Sequence, residues 1–122
     1  MPSEKQIQET FDKVAADIPG FIAASLVDLE SGMTLGARSL RSEFDLTAAS
    51  AYNSEMVKQK LKIMKALNLR TNFEDMIITL GDQIHIIKLV TPSTFIYLAA
   101  DRSTCNLAIV RNVVNKNAAA FQ

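Results

Sequence analysis

The chain has very few of the residues that metal-dependent and disulfide-stabilised proteins need. Among its 122 residues there is one cysteine, Cys105, and one histidine, His85. A single cysteine cannot form an intrachain disulfide, and these two residues cannot complete a structural zinc site within one chain. His85 lies in an alternating strand pattern, which is typical of a packed or surface imidazole, with a catalytic base as the alternative. The sequence therefore predicts no metal and no cofactor.

An excess of charge of one sign is also missing. Lys and Arg total 13, and Asp and Glu total 13, so the formal net charge is zero. A protein that binds the phosphates of nucleic acids normally carries a clear basic excess, so nucleic acid is not an expected partner. Zero net charge provides little self-repulsion, which favours association with a second copy or with another protein.

Long hydrophobic runs are absent as well. No apolar stretch approaches the length needed to cross a bilayer, and residues 1–6 lack the apolar core of a signal peptide. We therefore expect a cytoplasmic protein without direct membrane insertion. A hydrophobic content of 48% in 122 residues suits one packed domain over residues 1–122.

Motifs for catalysis are not found either. The four glycines are spaced as turn residues and form no phosphate-binding loop with its lysine. No serine lies in the strained strand-to-helix turn of a hydrolase nucleophile. Cys105 precedes a predicted helix, where it is either a small buried side chain or a redox-sensitive thiol. We predict that the chain is not an enzyme.

Apolar spacing and turn residues predict the element order α-β-β-α-β-β-β-α. The elements are a helix from the Ser3–Gln6 capping box to Pro19-Gly20, strands at 21–27 and 33–38, a long helix capped by Ser42 or Asp45, strands at 75–80, 83–90 and 94–100, and a last helix capped by Ser103 or Thr104. The links Gly81-Asp82 and Thr91-Pro92-Ser93 are too short for parallel crossovers. The predicted fold class is α+β, with a five-stranded antiparallel sheet and helices on both faces.

The third predicted strand is the feature that suggests a partner. It becomes an outer edge if the first strand lies beside the fifth, and residues 76–80 carry no lysine or proline to discourage edge pairing. The long helix also has a wider apolar sector than one contact requires. A twofold dimer satisfies both features, and a loop that covers the edge is the alternative. The predicted dimer interface comprises Tyr52, Met56, Ile63, Met64, Leu67, Phe73, Asp75, Met76, Ile77, Ile78 and Thr79.

Nearly the whole chain resembles the Roadblock/dynein light-chain family. Residues 18–28 with Gly32 look like that family's opening strand and turn, residues 77–87 like its central hairpin, and residues 106–111 like the start of its last helix. The resemblance implies a profilin-like sandwich that dimerises through the second helix and third strand and serves as a platform for other proteins. Members of the family attach to dynein, form scaffolds for Ras-like GTPases, or regulate a small GTPase of bacterial cell polarity.

We therefore predict a non-enzymatic homodimeric scaffold or regulator of a Ras-like small GTPase, with a GTPase-activating or a polarity and motility role. A small-molecule sensor and an accessory light chain of a motor complex are the alternatives. The sequence does not distinguish an activator from a passive scaffold, or a homodimer from a heterodimer with a related chain. Arg38, Arg41, Arg70 and Arg102 lie near predicted loops, where each either reaches the reaction centre of a partner GTPase or is a solvated charge.

Overall fold

The computed structural model describes residues 2–122, which fold into helices and strands in the predicted order. The elements are α1 Glu4–Asp17, β1 Phe21–Asp28, β2 Thr34–Ser39, α2 Leu46–Ala66, β3 Asp75–Thr79, β4 Gln83–Thr91, β5 Thr94–Asp101 and α3 Leu107–Ala118, followed by a 3₁₀ turn at Ala119–Phe121. All the strand pairs are antiparallel, and the sheet order is β2-β1-β5-β4-β3. Met1, the first residue of the predicted domain, lies outside the described range.

Helices cover both faces of the sheet, so the predicted α+β sandwich is confirmed. Helices α1 and α3 share one hydrophobic core, in which Phe11 and Phe121 pack with ring centroids 5.3 Å apart. Helix α2 lies on the opposite face over a second core that includes Val57, Phe95 and Tyr97. The central strands are covered on both sides, since every residue of β1 from Phe21 to Val27 is buried. A continuous apolar run is typical of such a strand.

Two sequence predictions about helix starts are settled by side-chain hydrogen bonds. The capping box of α1 is confirmed, because the Gln6 N–H donates to the Ser3 hydroxyl at 3.1 Å and the Ser3 N–H donates to the Gln6 carboxamide oxygen at 2.8 Å. Of the two candidate caps for α2, Asp45 is the one used, since it accepts from the Ala48 N–H at 3.0 Å. Local spacing was enough to find both helices.

The predicted cap of the last helix is wrong. Asn106 caps α3 by accepting from the Ile109 N–H at 3.1 Å. The hydroxyls of Ser103 and Thr104 donate instead to the Asp101 carboxylate, at 3.0 and 3.2 Å. A charged carboxylate is a strong acceptor, so the Asp101 side chain holds both hydroxyls in the turn after β5. The helix therefore begins later, at a residue that Asn106 caps.

The link between β3 and β4 comprises the predicted residues Gly81 and Asp82, since the Leu80 N–H donates to the Gln83 carbonyl at 2.8 Å, although strand β3 itself ends at Thr79. Gly81 does not adopt the positive φ that is typical of a two-residue hairpin turn. The Leu80 carbonyl accepts from the Arg102 guanidinium at 3.1 Å. The positive φ expected at Gly32 is observed, at 75°.

Candidate interaction surface

Strand β3 is an outer edge of the sheet, as the sequence predicts, and the register shows which backbone groups face outward. The Leu80 N–H donates to the Gln83 carbonyl at 2.8 Å, and Thr79 lies opposite Ile84. Because hydrogen-bonded and non-hydrogen-bonded pairs alternate in an antiparallel ladder, the amide groups of Asp75, Ile77 and Thr79 point away from β4. Within residues 2–122 no backbone hydrogen bond reaches this outer side of β3.

Helix α2 presents a second apolar side, on which only Ala49 and Met56 pack in part against the core beneath the helix. Tyr52 is 78% exposed, Ile63 38% and Leu67 65%. A repeat of 3.6 residues per turn places these three side chains, with Ala49 and Met56, along one side of the helix. We call these five residues the α2 flank. Large apolar residues that share one exposed helix side are typical of a surface that packs on another protein.

The structure places the eleven residues of the predicted dimer interface on α2, on the loop after it and on β3. Tyr52, Ile63, Leu67 and Thr79 are exposed, and Met56, Met64, Phe73, Asp75, Met76, Ile77 and Ile78 are half-buried. All of them are therefore at least partly accessible in the single chain. The alternating register divides the β3 side chains: Met76 and Ile78 lie opposite Ile87 and His85 on the α2 face, and the others lie on the α3 face.

Asp75 contributes to this surface through its backbone rather than its carboxylate. The Arg111 guanidinium on α3 donates to one oxygen of Asp75 through Nε at 3.1 Å and Nη2 at 2.9 Å. The Asp75 side chain is only 13% exposed. This ion pair fastens the start of the edge strand to α3, and so holds β3 extended although one of its sides is unpaired.

Two adjoining clefts separate the end of α2 from the sheet. The larger, of about 420 Å³, is lined on its apolar side by Leu61, Met64, Phe73, Leu89 and Pro92. The smaller, of about 280 Å³, includes Lys60, Leu69 and Met76. Lys60 and Leu69 were not among the predicted site residues. The signal for Leu69 was available, because it is a large apolar residue two positions after Leu67, the residue that caps the end of α2.

His85 is a packed imidazole on the α2 face of β4, which is one of the two states that its strand pattern indicated. Its Nε2 lies 2.7 Å from the Gln83 carboxamide oxygen, and its Nδ1 lies 3.3 Å from the Tyr97 hydroxyl. The rings of Phe44 and Tyr97 surround it, with the Tyr97 centroid at 5.3 Å. Burial lowers the pKa of His85, against the opposing attraction of the Asp82 carboxylate. Burial also raises the pKa of Tyr97 to about 12.

This environment predicts a pH dependence of stability. Because the pKa of His85 in the folded chain lies below the ordinary value of 6.5, the unfolded chain binds a proton first as the pH falls. The contribution of His85 to the free energy of unfolding should be complete above pH 6.5 and should decline from there toward the lower folded-state pKa. Urea unfolding at several pH values measures it, and His85→Gln, which cannot titrate, should remove this part of the slope. Equal slopes in the two proteins would contradict the prediction.

Of the remaining candidates for chemistry, Cys105, Arg38 and Arg102 have local contacts, and Arg41 and Arg70 are exposed. Burial and the nearby Asp101 carboxylate raise the pKa of Cys105, which makes its thiol less reactive. Arg38 pairs with Asp12 at 3.4 Å, and Arg102 donates to the Leu80 carbonyl. Across the described part of the chain there is no group of three side chains able to hold a metal ion. Nor does any helix among residues 2–122 have the length and hydropathy needed to span a bilayer.

Comparisons with known proteins find relatives by structure alone. No protein-family model and no curated protein sequence matches the chain. MglB of Myxococcus xanthus superposes with a TM-score of 0.84 at 16% identity, over 95% of this chain and 91% of that one. A Roadblock/LC7 domain from Streptomyces avermitilis superposes with a TM-score of 0.81 at 10% identity, over 98% and 94%. The chain has the Roadblock/LC7 fold.

The Roadblock/LC7 fold also appears in the gliding protein MglB from Thermus thermophilus. That protein superposes with a TM-score of 0.84 at 13% identity, over 96% of this chain and 86% of its own. The fold expected from the sequence resemblance is therefore confirmed. At such low identities the likeness concerns the backbone, so the role of each surface residue must be argued from this chain itself.

Proposed function

We propose that this chain is a non-enzymatic regulator or scaffold of a Ras-like small GTPase, and that it acts as a homodimer. The dimer forms through the α2 flank and the outer edge of β3. The observation that carries the proposal is that a chain with the Roadblock/LC7 fold has an open β3 edge and an exposed apolar side of α2, and that the end of α2 and the start of β3 line one cleft through Met64, Asp75 and Met76. An open strand edge and an exposed apolar helix side are both satisfied by one twofold contact.

The backbone geometry favours a second copy at the edge. Asp75, Ile77 and Thr79 offer outward N–H and C=O groups in alternation, and an antiparallel copy of the same strand offers the complementary set. Two sheets joined at β3 form one continuous sheet, with the two α2 helices on the same face. Because the dimer then has one shared surface, both copies can contribute to the site that a GTPase meets.

The link to a GTPase rests on likeness at the level of fold. The Roadblock family resemblance implies regulation of Ras-like GTPases, and two of the structures with this fold are MglB proteins, one described as a gliding protein. The chain's own chemistry agrees with a non-enzymatic role, because its histidine and cysteine are packed and its Arg38 and Arg102 are engaged in contacts. Regulation then proceeds through contact with the partner.

The first test is the oligomeric state of the wild-type chain. Sedimentation equilibrium at micromolar concentration should give twice the chain mass of 13.4 kDa.

The second test immobilises the dimer and applies cell extract loaded with either GDP or a slowly hydrolysed GTP analogue. A Ras-like GTPase retained in one nucleotide state, whose GTP hydrolysis changes when the purified proteins are mixed, supports the regulator. A motor subunit retained in both states favours the accessory light chain instead.

The edge strand has its own test in Thr79→Pro. The Thr79 N–H faces away from β4, so proline removes it without breaking the β3–β4 ladder. In the proposed dimer, the loss of the Thr79 N–H leaves a carbonyl group of the second copy without its hydrogen bond, which costs about 1–3 kcal/mol of binding free energy. The twofold symmetry doubles this loss. We expect dimer affinity to fall by between about 30-fold and about 10⁴-fold in sedimentation experiments.

Ala37→Pro is the matched control for this test. The Leu40 N–H donates to the Ile22 carbonyl, so by the same alternation the Ala37 amide faces outward, but on the opposite edge strand β2. This variant should keep the affinity of the wild type. Dimerisation that survives Thr79→Pro and is lost in Ala37→Pro would move the interface to β2 and contradict the proposal.

A small-molecule sensor is the second candidate function, and the cleft of about 420 Å³ beside Met64 and Phe73 favours it. Its volume lies in the range of small-molecule sites, and Asn72 and Thr91 add polar groups to the apolar lining. Thermal-shift screening with metabolites separates the two candidates. A compound that raises the melting temperature in the wild type and not in Met64→Trp, whose larger side chain fills the cleft, would support the sensor.

A further inference from the structure

Helix α2 packs on the sheet through Val57 and partly buried apolar side chains, and a buried hydroxyl group, that of Ser50, adds directional bonds to this contact. The fully buried residues of α2 are Ser50, Ser54 and Val57, so two of the three are polar. The Ser50 hydroxyl accepts a hydrogen bond from Thr34 on β2 at 2.9 Å and shares another with Ser25 on β1 at 3.2 Å. Ser25 and Ser50 have no exposed surface. We call Ser25, Thr34 and Ser50 the hydroxyl triad.

A hydroxyl triad restricts the position of a helix in a way that apolar packing does not. Hydrophobic contact has no preferred direction, so the apolar side chains of α2 by themselves distinguish only weakly between neighbouring rotations of the helix. A hydrogen bond depends on both distance and angle. If α2 slides or rotates, Ser25 and Ser50 remain buried and lose their partners, which makes the displaced positions unfavourable.

Two further close contacts of α2 lie on the side of the helix that faces the β1–β2 turn. A Cβ added at Gly32, in the β1–β2 turn, would lie 2.8 Å from the Ser54 hydroxyl and 3.3 Å from the Ala51 Cα. The Lys58 ammonium donates to the Glu30 carbonyl in the same turn at 2.9 Å. The helix is therefore fastened along its β1–β2 side, whereas the α2 flank lies on its other side, toward the clefts beside β3 and β4.

We propose that the hydroxyl triad is a positioning element, which fixes the register and rotation of α2 and so determines where the α2 flank is presented. This inference rests on the proposed homodimer for its functional consequence, because a second copy of the chain is the partner that meets the flank. Ser25, Thr34 and Ser50 act through α2 and need not touch that partner. Their contribution is to dimer affinity more than to the stability of the single chain.

The test uses the double variant Ser25→Ala/Ser50→Ala, which removes both members of the buried pair so that neither is left unsatisfied. The Thr34 hydroxyl is half-buried and can turn to water. We expect an unfolding midpoint close to that of the wild type when both proteins are diluted to the monomeric state, because dimerisation itself adds stability. The dimer dissociation constant should be about tenfold higher or more, since a less firmly held α2 weakens the contact without removing it. Urea unfolding measures the midpoint, and sedimentation equilibrium measures the dissociation constant.

A distance measurement reports the helix position directly. Spin labels at Lys62 and Asp82, both exposed, are introduced as cysteines in a Cys105→Ser background. The wild-type triad should give one narrow distance distribution, and the double alanine variant a shifted or broadened one. The control is Thr94→Val, which removes one hydroxyl of a pair 2.7 Å apart in the β4–β5 turn, leaves the Thr91 hydroxyl bonded to the Ser93 N–H, and should change neither the distance nor the affinity.

The outcomes separate this inference from the proposed dimer. An unchanged distance distribution overturns the positioning role, and a changed one with wild-type dimer affinity overturns its link to the interface. If affinity and the unfolding midpoint fall in the same proportion, the triad contributes only to stability, and the inference also fails. If the wild-type chain is a monomer, the dimer proposal fails, and the distance distribution alone still decides whether the triad positions α2.

Discussion

Tyr52→Glu is expected to dissociate the proposed dimer while the single chain stays folded. Tyr52 is 78% exposed, so its replacement removes few contacts within the chain and should change the free energy of unfolding by no more than about 0.5 kcal/mol. In the proposed dimer the same ring is buried, which contributes about 1.5–3 kcal/mol to the binding free energy for each copy. Because the contact is twofold, both copies lose this energy and both place a carboxylate in an apolar interface.

The expected loss of dimer affinity lies between about 10²-fold and about 10⁴-fold, and sedimentation equilibrium over a range of concentrations measures it. Met33→Glu is the matched control, because Met33 is similarly exposed, at 67%, and adjoins the opposite edge strand β2. It introduces the same charge outside the proposed interface. Equal affinities for Tyr52→Glu and the wild type would remove the α2 flank from the interface.

The second large effect is expected from Gly36→Ala, which concerns stability. Gly36 lies on β2 directly under α1, and a Cβ at this position would overlap the Ile7 side chain and lie 2.9 Å from the Ile7 Cβ. Ile7 is only 2% exposed and is part of the core beneath α1. The added methyl group must therefore push α1 away from the sheet. We expect a loss of about 1–3 kcal/mol in the free energy of unfolding, measured by urea denaturation.

Gly81→Ala is the control for this substitution. A Cβ at Gly81 meets no atom within 4 Å, and the φ of Gly81 is not positive. Gly81→Ala therefore lowers the conformational entropy of the unfolded chain as Gly36→Ala does, but without a clash in the folded chain. Its stability should equal or slightly exceed that of the wild type. The clash itself can be isolated with Ile7→Val, which makes room: the double variant Gly36→Ala/Ile7→Val should lose less than the sum of the single losses. Strict additivity would show that Ile7 is not the cause.

Parts of the structure that depend on neighbouring residues were predictable from the sequence. The capping box at Ser3 and Gln6 joins residues three apart. The continuous apolar run of β1 predicts that this strand is buried on both faces, as it is. The last helix shows where such reasoning fails. Ser103 and Thr104 have the right chemistry for a cap, but Asp101 binds both, and that competition depends on how the chain turns after β5.

The edge position of β3 was predicted from the short links, which force antiparallel neighbours, together with the assumption that the first strand lies beside the fifth. The geometry at this edge could not be obtained in the same way. Arg111 and Asp75 are 36 residues apart, and no periodicity pairs them. Their contact turns the Asp75 carboxylate toward α3, which is why this predicted interface residue offers its backbone to a partner and not its charge.

By itself the sequence determined the order of the elements and the fold class, because both follow from local spacing and from the length of the links. The tertiary structure placed β1 beside β5, and this neighbour makes β3 the edge. Only the tertiary structure decided which side of α2 is exposed and which groups hold its other side. Ser25 and Ser50 are 25 residues apart, and Thr34 and Ser50 are 16 apart. Such contacts form only when the sheet and helix meet, so their energies depend on distances and angles that no local pattern contains.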